Sequence, residues 1–190
     1  MKIVDLSAWQ EDVNWNALSK EFDGVILKIG QGTNMDSMFV EHVNNAVAHN
    51  MPYGIYYYNK AQSIEEAQAE AQQVDEWIKT WLNGKNPQLG IWADVEDNRM
   101  LRGDATESAM TFVNYLWSVG YNYVGIYTSY NWLTYGNLNT NALKGVALWV
   151  AQYYHENSIL KEQPDLICKI WQYTDHYSDE FPYDASLYYE

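Results

Sequence analysis

The sequence has little cysteine, few positive charges and no long hydrophobic run. Its single cysteine, Cys168, excludes a disulfide within the chain and lies in an apolar segment, where a buried thiol is expected. No stretch approaches the roughly 18 consecutive apolar residues that indicate a membrane-spanning helix, so no membrane partner is expected. Only 11 Lys and Arg accompany 25 Asp and Glu, and the net charge of −14 argues against nucleic acid or an anionic membrane surface as a partner.

Several catalytic signatures are also missing. The chain has no His-Glu-x-x-His spacing, so no zinc site is expected, and it has no Gly-x-Ser-x-Gly elbow of an acyl hydrolase. No Gly-x-Gly-x-x-Gly and no phosphate loop indicate a nucleotide site. The segment Met1–Asp5 reaches an acid before an apolar signal region could form, so no secretory signal is predicted. We therefore expect neither a cofactor nor a metal.

A short glycine-led pattern recurs along the chain and predicts buried strands. Gly24, Gly54, Gly90 and Gly125 each lead into a β-branched and aromatic run, and they stand 30, 36 and 35 residues apart. That interval accommodates a strand, a helix and two loops. Strand–helix alternation of this kind is typical of a parallel sheet.

The intervening segments have helical periodicity. Residues 36–50, 63–82 and 104–119 place apolar side chains on one face, as amphipathic helices do. The second segment opens with a capping box, Ser63 and Glu66, and the third is followed by Gly120 as a C-terminal stop.

The pattern changes after Tyr130, where the apolar runs 146–150 and 167–171 stand closer together with little helical periodicity between them. This spacing favours antiparallel returns. With a first strand at Ile3-Val4 and a last run ending near Tyr183-Asp184, the count is eight. We expect one domain over residues 1–190, an α/β fold with an irregular TIM-like (βα)₅β₃ barrel. An open doubly wound sheet is the alternative.

Asp94 and Glu96 follow the apolar run Leu89–Ala93 and form the most informative motif. In an extended strand, residues i and i+2 point to the same face, so the two carboxyls should project side by side. Apolar surroundings disfavour charging both, which leaves a proton donor beside an ionised partner. Glycoside hydrolysis uses such a pair, although a solvated acidic turn would have the same sequence.

The barrel prediction brings further acids to the same place, because the sites of such barrels lie at the carboxyl ends of the parallel strands. Asp5 ends the first predicted strand and Asp184 lies at the end of the last. Since the first and eighth strands are neighbours in a closed barrel, Asp5 and Asp184 should be close to each other and to the Asp94/Glu96 pair.

Motifs along nearly the whole chain resemble glycoside hydrolase family 25, the Chalaropsis-type lysozymes common among phage endolysins. They occur in family order and are listed here: Asp5-Leu6-Ser7-Ala8-Trp9-Gln10, residues 22–29, residues 52–58, Asp94-Val95-Glu96, residues 148–153 and Trp171-Gln172-Tyr173-Thr174. One departure is Gln31-Gly32-Thr33, where many relatives carry Glu-Gly-Thr. The resemblance implies the same (βα)₅β₃ barrel and an N-acetylmuramidase that cuts the β-1,4 bond between N-acetylmuramic acid and N-acetylglucosamine in peptidoglycan, with retention.

The resemblance also implies roles for the acids. Glu96 would be the general acid/base, and Asp94 either a nucleophile or the base that orients the substrate's 2-acetamido group. Asp5 and Asp184 would be further acids that hold the site together and tune its pKa values.

Aromatic residues are abundant, with 17 tyrosines and 9 tryptophans, and amphipathic rings suit a cleft that stacks on sugar faces. The candidates for such a platform, each of which could equally be part of the core, are Trp9, Tyr56, Tyr58, Tyr127, Trp149 and Trp171. We favour Tyr58, Tyr127 and Trp171 as substrate-binding residues, because they lie towards the carboxyl ends of their strands.

The expected partner is bacterial peptidoglycan, attacked on the outer side of the cell membrane by a monomer. Without a visible signal, release through phage-type lysis is expected. Two rival classes remain open: a non-catalytic glycan-binding module, which would not clear a suspension of bacterial walls, and a metal-dependent phosphodiesterase, which EDTA would inactivate.

Overall fold

Eight strands close into a barrel in the computed structural model, which describes residues 1–189. A ninth, two-residue strand pairs with the end of β2. The strands are β1 (Lys2–Leu6), β2 (Gly24–Gln31), the short β3 (Asn34–Met35), β4 (Tyr53–Tyr58), β5 (Ile91–Asp94), β6 (Val124–Ser129), β7 (Ala147–Ala151), β8 (Ile167–Thr174) and β9 (Ala185–Tyr188). The predicted closed barrel is confirmed.

Between residues 1 and 189, six α-helices connect the strands. They are α1 (Trp15–Glu21), α2 (Phe39–Ala48), α3 (Ile64–Trp81), α4 (Ala105–Ser118), α5 (Tyr130–Thr134) and α6 (Ile159–Glu162). A 3₁₀ helix, Asn98–Arg102, precedes α4. The three helices predicted from periodicity are α2, α3 and α4, each one to three residues shorter at its ends than the predicted segments. No helix within residues 1–189 is long and apolar enough to cross a membrane.

Side-chain caps define where the two longest helices begin. The Ser63 hydroxyl accepts a hydrogen bond from the backbone N–H of Glu66 at 3.2 Å, and the Asp104 carboxylate accepts one from Glu107 at 2.9 Å. The Glu66 carboxylate reaches back to the N–H of Gln62 instead of that of Ser63, so the capping box is shifted by one residue. Helix α4 ends before Gly120, whose φ of +102° favours glycine.

The direction of the later strands differs from the prediction. Strand β7 pairs in parallel with both β6 and β8, and only β9 among the barrel strands runs antiparallel to its neighbours, β8 and β1. The connection between β7 and β8, residues 152–166, exceeds the dozen or so residues that a parallel crossover needs. The short helix α6 therefore suffices where the sequence showed no full helical repeat.

The strands bury apolar side chains on both faces. The outward faces pack against the helices in the larger core, which includes Val25, Leu27 and Ile55. The inward faces form a second cluster around Trp92, with Trp149 in edge contact at 6.1 Å between ring centroids. A Cβ at Gly125 would meet the Trp92 ring at 2.5 Å, so the glycine makes room for the indole. The rings of this second cluster fill the interior of the barrel below the carboxyl ends of the parallel strands.

Candidate active site

Four acids surround one cavity at the mouth of the barrel. Asp5 lies on β1, Asp94 is the last residue of β5, and Glu96 follows two residues later. The cavity has a volume of about 100 Å³, and its lining consists of Asp5, Tyr56, Asp94, Glu96, Tyr127, Trp149, Gln172 and Asp184. The structure thus brings together all four acids that the sequence singled out.

Asp184 reaches the mouth by a different route from the one predicted. It immediately precedes β9 instead of ending the last strand. Because β9 is antiparallel, its first residue lies at the same end of the barrel as the last residues of the parallel strands. The predicted proximity is nevertheless observed, since the N–H of Asp5 donates to the backbone carbonyl of Asp184 at 3.1 Å.

Hydrogen bonds of the backbone just after β5 orient the side chains of Asp94 and Glu96. The N–H of Val95 donates to the Tyr127 carbonyl at 2.8 Å, and the Val95 carbonyl accepts from the Thr128 hydroxyl at 2.7 Å. The Val95 side chain is buried in the outer core, so its neighbours Asp94 and Glu96 turn inward, as the i, i+2 argument predicts.

The two acids have different surroundings. Asp94 is only 5% exposed, and its Oδ1 has no hydrogen-bond partner among residues 1–189. Burial, together with the charge of Glu96, raises the pKa of Asp94 well above its usual range. The Glu96 side chain is exposed at the opening, and partial burial raises its pKa as well. Of these two carboxyls, Asp94 therefore has the more strongly raised pKa, whereas the sequence alone pointed to Glu96.

Lys28 supplies positive charge beside the acid pair. Its charge acts against burial to lower the pKa of both Asp94 and Glu96, and its Nζ lies 5.3 Å from the centroid of the Tyr58 ring. Lys28 was not singled out from the sequence, although a signal existed: it lies two residues after Ile26, which faces the barrel interior.

Asp5 and Asp184 share a hydrogen-bond donor, the side chain of Gln172. Burial and the charge of Asp184 raise the pKa of Asp5 well above its usual range. Burial and the charges of Asp175 and Glu96 raise the pKa of Asp184 to about 6. The acids of the mouth therefore hold protons at a pH where exposed carboxyls are ionised.

The three favoured aromatic residues occupy different positions. Tyr127 lines the acid cavity and packs edge-on against Trp149, with ring centroids 4.6 Å apart. Tyr58 lies beside the acids, and burial and nearby carboxylates raise its pKa to about 12. Trp171 lies on the other face of its strand: side chains alternate along β8, so it faces away from the interior, where Ile170 lies, and its indole N–H donates to the Gln152 carbonyl. Its role in substrate binding stays a prediction. Trp171 lines none of the cavities described here.

Two wider cavities flank the acid cavity. One has a volume of about 370 Å³ and contains the residues Glu96, Tyr127, Ser129, Tyr130, Asn131, Ala151, Gln152 and Tyr153. The other, of about 190 Å³, contains Asp5, Leu6, Ser7, Trp9, Gln10, Tyr56 and Asp184. Because each shares acids with the central cavity, the carboxyls lie in the middle of an extended cleft. Trp9 is 89% exposed at one end of it.

No group of three or more His, Cys, Asp or Glu within residues 1–189 is arranged to hold a metal ion. The carboxyls of the mouth instead contact an amide and face aromatic rings, so the residues present are equipped for proton transfer and stabilisation of positive charge.

The sequence pattern of the glycosyl hydrolases family 25 matches residues 4–180. The matched range includes Asp5, Asp94, Glu96 and Gln172 and ends before Asp184. The comparison with curated proteins finds no match.

Several solved structures have the same fold as this chain. The modular autolysin LytC from Streptococcus pneumoniae, in complex with a synthetic peptidoglycan ligand, is 26% identical with a TM-score of 0.83; the match covers 99% of this chain and 46% of that one. The catalytic domain of endolysin Ply40, from bacteriophage P40 of Listeria monocytogenes, is 23% identical with a TM-score of 0.80, covering 100% and 93%. A muramidase from Trichobolus zukalii is 20% identical with a TM-score of 0.76, covering 100% and 94%. The chain thus spans just under half the length of the autolysin.

Proposed function

The chain belongs to glycosyl hydrolase family 25, and from that premise we propose that it is an N-acetylmuramidase of bacterial peptidoglycan. It would hydrolyse the β-1,4 bond between N-acetylmuramic acid and N-acetylglucosamine with net retention of configuration. The observation that carries this proposal is the Asp94/Glu96 pair in the middle of an extended cleft, where a polysaccharide can lie across the acids on both sides.

Glu96 is proposed as the general acid and base. Its side chain is exposed at the border of the central cavity and the 370 Å³ cavity, so it can reach the glycosidic oxygen of a chain that lies across both. Its raised pKa keeps a proton available for the leaving oxygen as the bond breaks. After the first step, the ionised Glu96 would remove a proton from the attacking water.

Asp94 is proposed to act on the sugar ring on the side opposite the leaving group. Two routes were open for it, attack on the anomeric carbon and orientation of the substrate's 2-acetamido group. The unpartnered, buried Oδ1 and the strongly raised pKa favour the second route, because a neutral or proton-sharing carboxyl is a poor nucleophile but still accepts a hydrogen bond from an amide N–H. The acetamido oxygen would then attack the anomeric carbon in place of Asp94.

The products test the proposal directly. Mass spectrometry of digested peptidoglycan is expected to find N-acetylmuramic acid at the new reducing ends, and NMR early in the reaction should show the β-anomer. Both routes for Asp94 retain configuration, whereas an inverting enzyme would place a water between carboxyls further apart than the about 5–5.5 Å of retaining sites. Reducing-end N-acetylglucosamine, released peptides or newly formed α-anomer would each contradict the proposal.

Trp9 is proposed to be a stacking platform for a sugar at one end of the cleft. An indole that is 89% exposed beside Asp5 and Asp184 presents a flat apolar face, and stacking of this kind contributes to carbohydrate binding. Trp9→Ala is therefore expected to raise KM on wall fragments several-fold, about 1 kcal/mol of lost binding, with a smaller change in kcat.

Trp81→Ala is the matched control for Trp9→Ala, because Trp81 is 47% exposed at the end of α3, at the opposite end of the barrel. Equal KM values for the two variants would show that Trp9 does not contribute to substrate binding.

We propose that the whole chain acts as a catalytic domain on the cell wall, as a monomer released by lysis. Turbidity clearance of bacterial walls that persists in EDTA would exclude both a binding module and a metal-dependent phosphodiesterase.

A further inference from the structure

The side-chain amide of Gln172 is the most highly connected polar group at the mouth of the barrel. Gln172 is 1% exposed. Its Nε2 donates to Asp5 Oδ2 at 3.0 Å and to Asp184 Oδ2 at 3.2 Å. Its Oε1 accepts from the hydroxyls of Tyr127 and Tyr153, each at 3.0 Å. A carboxamide offers two N–H donors and two acceptor lone pairs, so every hydrogen-bonding capacity of this side chain is used.

The surroundings determine which way the amide points. If the amide were rotated by half a turn, its oxygen would face the two carboxylates and its N–H groups would face the hydroxyls. A carbonyl oxygen would repel whichever of the two carboxyls is ionised, whereas an N–H group can donate to a carboxyl oxygen of an ionised or a protonated acid. The two acids therefore favour the orientation in which the N–H groups face them, and in that orientation the amide oxygen accepts from both tyrosine hydroxyls.

These four partners belong to separate parts of the chain. Asp5 is on β1 and Asp184 precedes β9, whereas Tyr127 is on β6 and Tyr153 follows β7. Tyr153 is 52% exposed and lines the 370 Å³ cavity, while Asp5 and Asp184 line the cavity at the other end of the cleft. The amide thus lies between the two halves of the cleft and links them.

We propose that Gln172 is a positioning residue of the glycosidase site, which holds the Asp5–Asp184 pair in place and fixes the Tyr153 hydroxyl at the wall of the 370 Å³ cavity. This inference rests on the proposed function only for its catalytic consequence. The titratable and charged groups that face this network from the surrounding strands and loops are Lys28, Tyr56, Asp94, Glu96, Tyr127, Tyr153 and Asp175.

The test is the substitution Gln172→Glu, which replaces the N–H groups of the side-chain amide with a carboxyl oxygen and keeps the shape of the side chain. A carboxyl there offers at most one O–H in place of two N–H groups, and when ionised it places a third negative charge against Asp5 and Asp184. Carbon-detected NMR titration of the free protein should show the pKa values of both acids raised by about one pH unit or more. The pH profile of kcat on wall fragments is expected to move upward with them, while KM changes less than kcat.

Gln88→Glu is the matched control for Gln172→Glu. It adds the same charge at an exposed position, where the side-chain oxygen accepts from the Tyr53 N–H, and it should leave the titration and the pH profile unchanged. A folded Gln172→Glu protein with unshifted pKa values for Asp5 and Asp184, or with a lower Tm as its only change, would overturn the proposal. If wild type itself released no reducing ends, the proposed function would fail, but the titration would still decide how Gln172 acts on the acids.

Tyr153→Phe serves if Gln172→Glu does not fold. It removes one of the two hydroxyls that hold Oε1, keeps the ring at the cavity wall and affects a half-exposed position. We expect kcat to fall several-fold, about 1 kcal/mol for one hydrogen bond, with little change in KM. An unchanged kcat and pH profile would count against the proposal.

Discussion

Replacement of Glu96 by Gln is expected to lower kcat on peptidoglycan by about 10²–10⁴-fold, the typical contribution of general acid–base catalysis. Gln keeps the shape of the side chain and its capacity to hydrogen-bond, but it has no proton to give to the leaving oxygen. Glu96 is exposed at the mouth, so the substitution should not disturb the fold or the binding of wall fragments. Release of reducing ends measures kcat, and sedimentation with purified walls measures binding.

Glu76→Gln is the matched control for this variant, because Glu76 is an exposed acid on α3 outside the cavities of the cleft. It makes the same change of charge and should retain wild-type activity. A folded Glu96→Gln protein with near-wild-type lysis would show that another group donates the proton.

The pH profile gives a second check on Glu96. Its pKa is raised, so the protonated form proposed to donate to the leaving oxygen persists above the usual range of a carboxyl. The basic limb of the wild-type kcat profile should therefore report this group, and Glu96→Gln should abolish that limb.

Much of the fold could be predicted from local sequence patterns. The order of strands and helices along the chain and the periodicity of each helix depend only on residues that are close in sequence. The glycine-led strands together with the other apolar runs gave the count of eight for a closed barrel, and closure predicted that Asp5 and Asp184 are neighbours. The antiparallel direction of β9 is what brings Asp184 to the mouth, because Asp184 precedes this strand instead of ending it, which the sequence did not predict. The direction of β8 was predicted wrongly, because its crossover contains only the one-turn helix α6 and leaves almost no periodic signal.

The site itself was only partly accessible from the sequence. Asp94 and Glu96 can be recognised from the sequence because they are acids that directly follow an apolar strand. Whether Gln172 and Lys28 belong to the site depends on which face of their strands points inward. Side chains alternate between the two faces of β8, and this alternation places Trp171 on the outer face of the barrel and Gln172 on the inner face. Strand β8 also has a register shift near Gln172, which no local pattern predicts.

Asp94→Asn is expected to cripple turnover and, at neutral pH, to make the protein more stable. Loss of the group proposed to orient the acetamido oxygen should lower kcat by about 10²-fold or more, as removal of one preorganised electrostatic contact does. Stability should move in the opposite direction because the wild-type carboxyl is buried without a partner for Oδ1, so ionising it is costly in the folded state.

The pH dependence of this gain has a definite sign. The pKa of Asp94 is raised in the folded state, so between its unfolded and folded pKa values the native protein binds more protons than the unfolded chain. The free energy of unfolding of wild type therefore falls as pH rises through that window, which begins near the usual Asp value of about 4. Asn does not titrate, so the free energy of unfolding of the variant does not fall for this reason as the pH rises.

Thermal unfolding of wild type and Asp94→Asn between about pH 4 and pH 8 measures the difference. Taking the difference cancels groups common to both proteins, including Asp97, whose pKa Arg99 holds at about 2. The Tm of the variant should exceed that of wild type by an amount that grows with pH, while its activity is lost throughout. A Tm difference that does not change with pH would mean that Asp94 ionises in the folded protein as it does in the unfolded chain. The proposed role of a buried, proton-holding carboxyl beside the sugar ring would then be wrong.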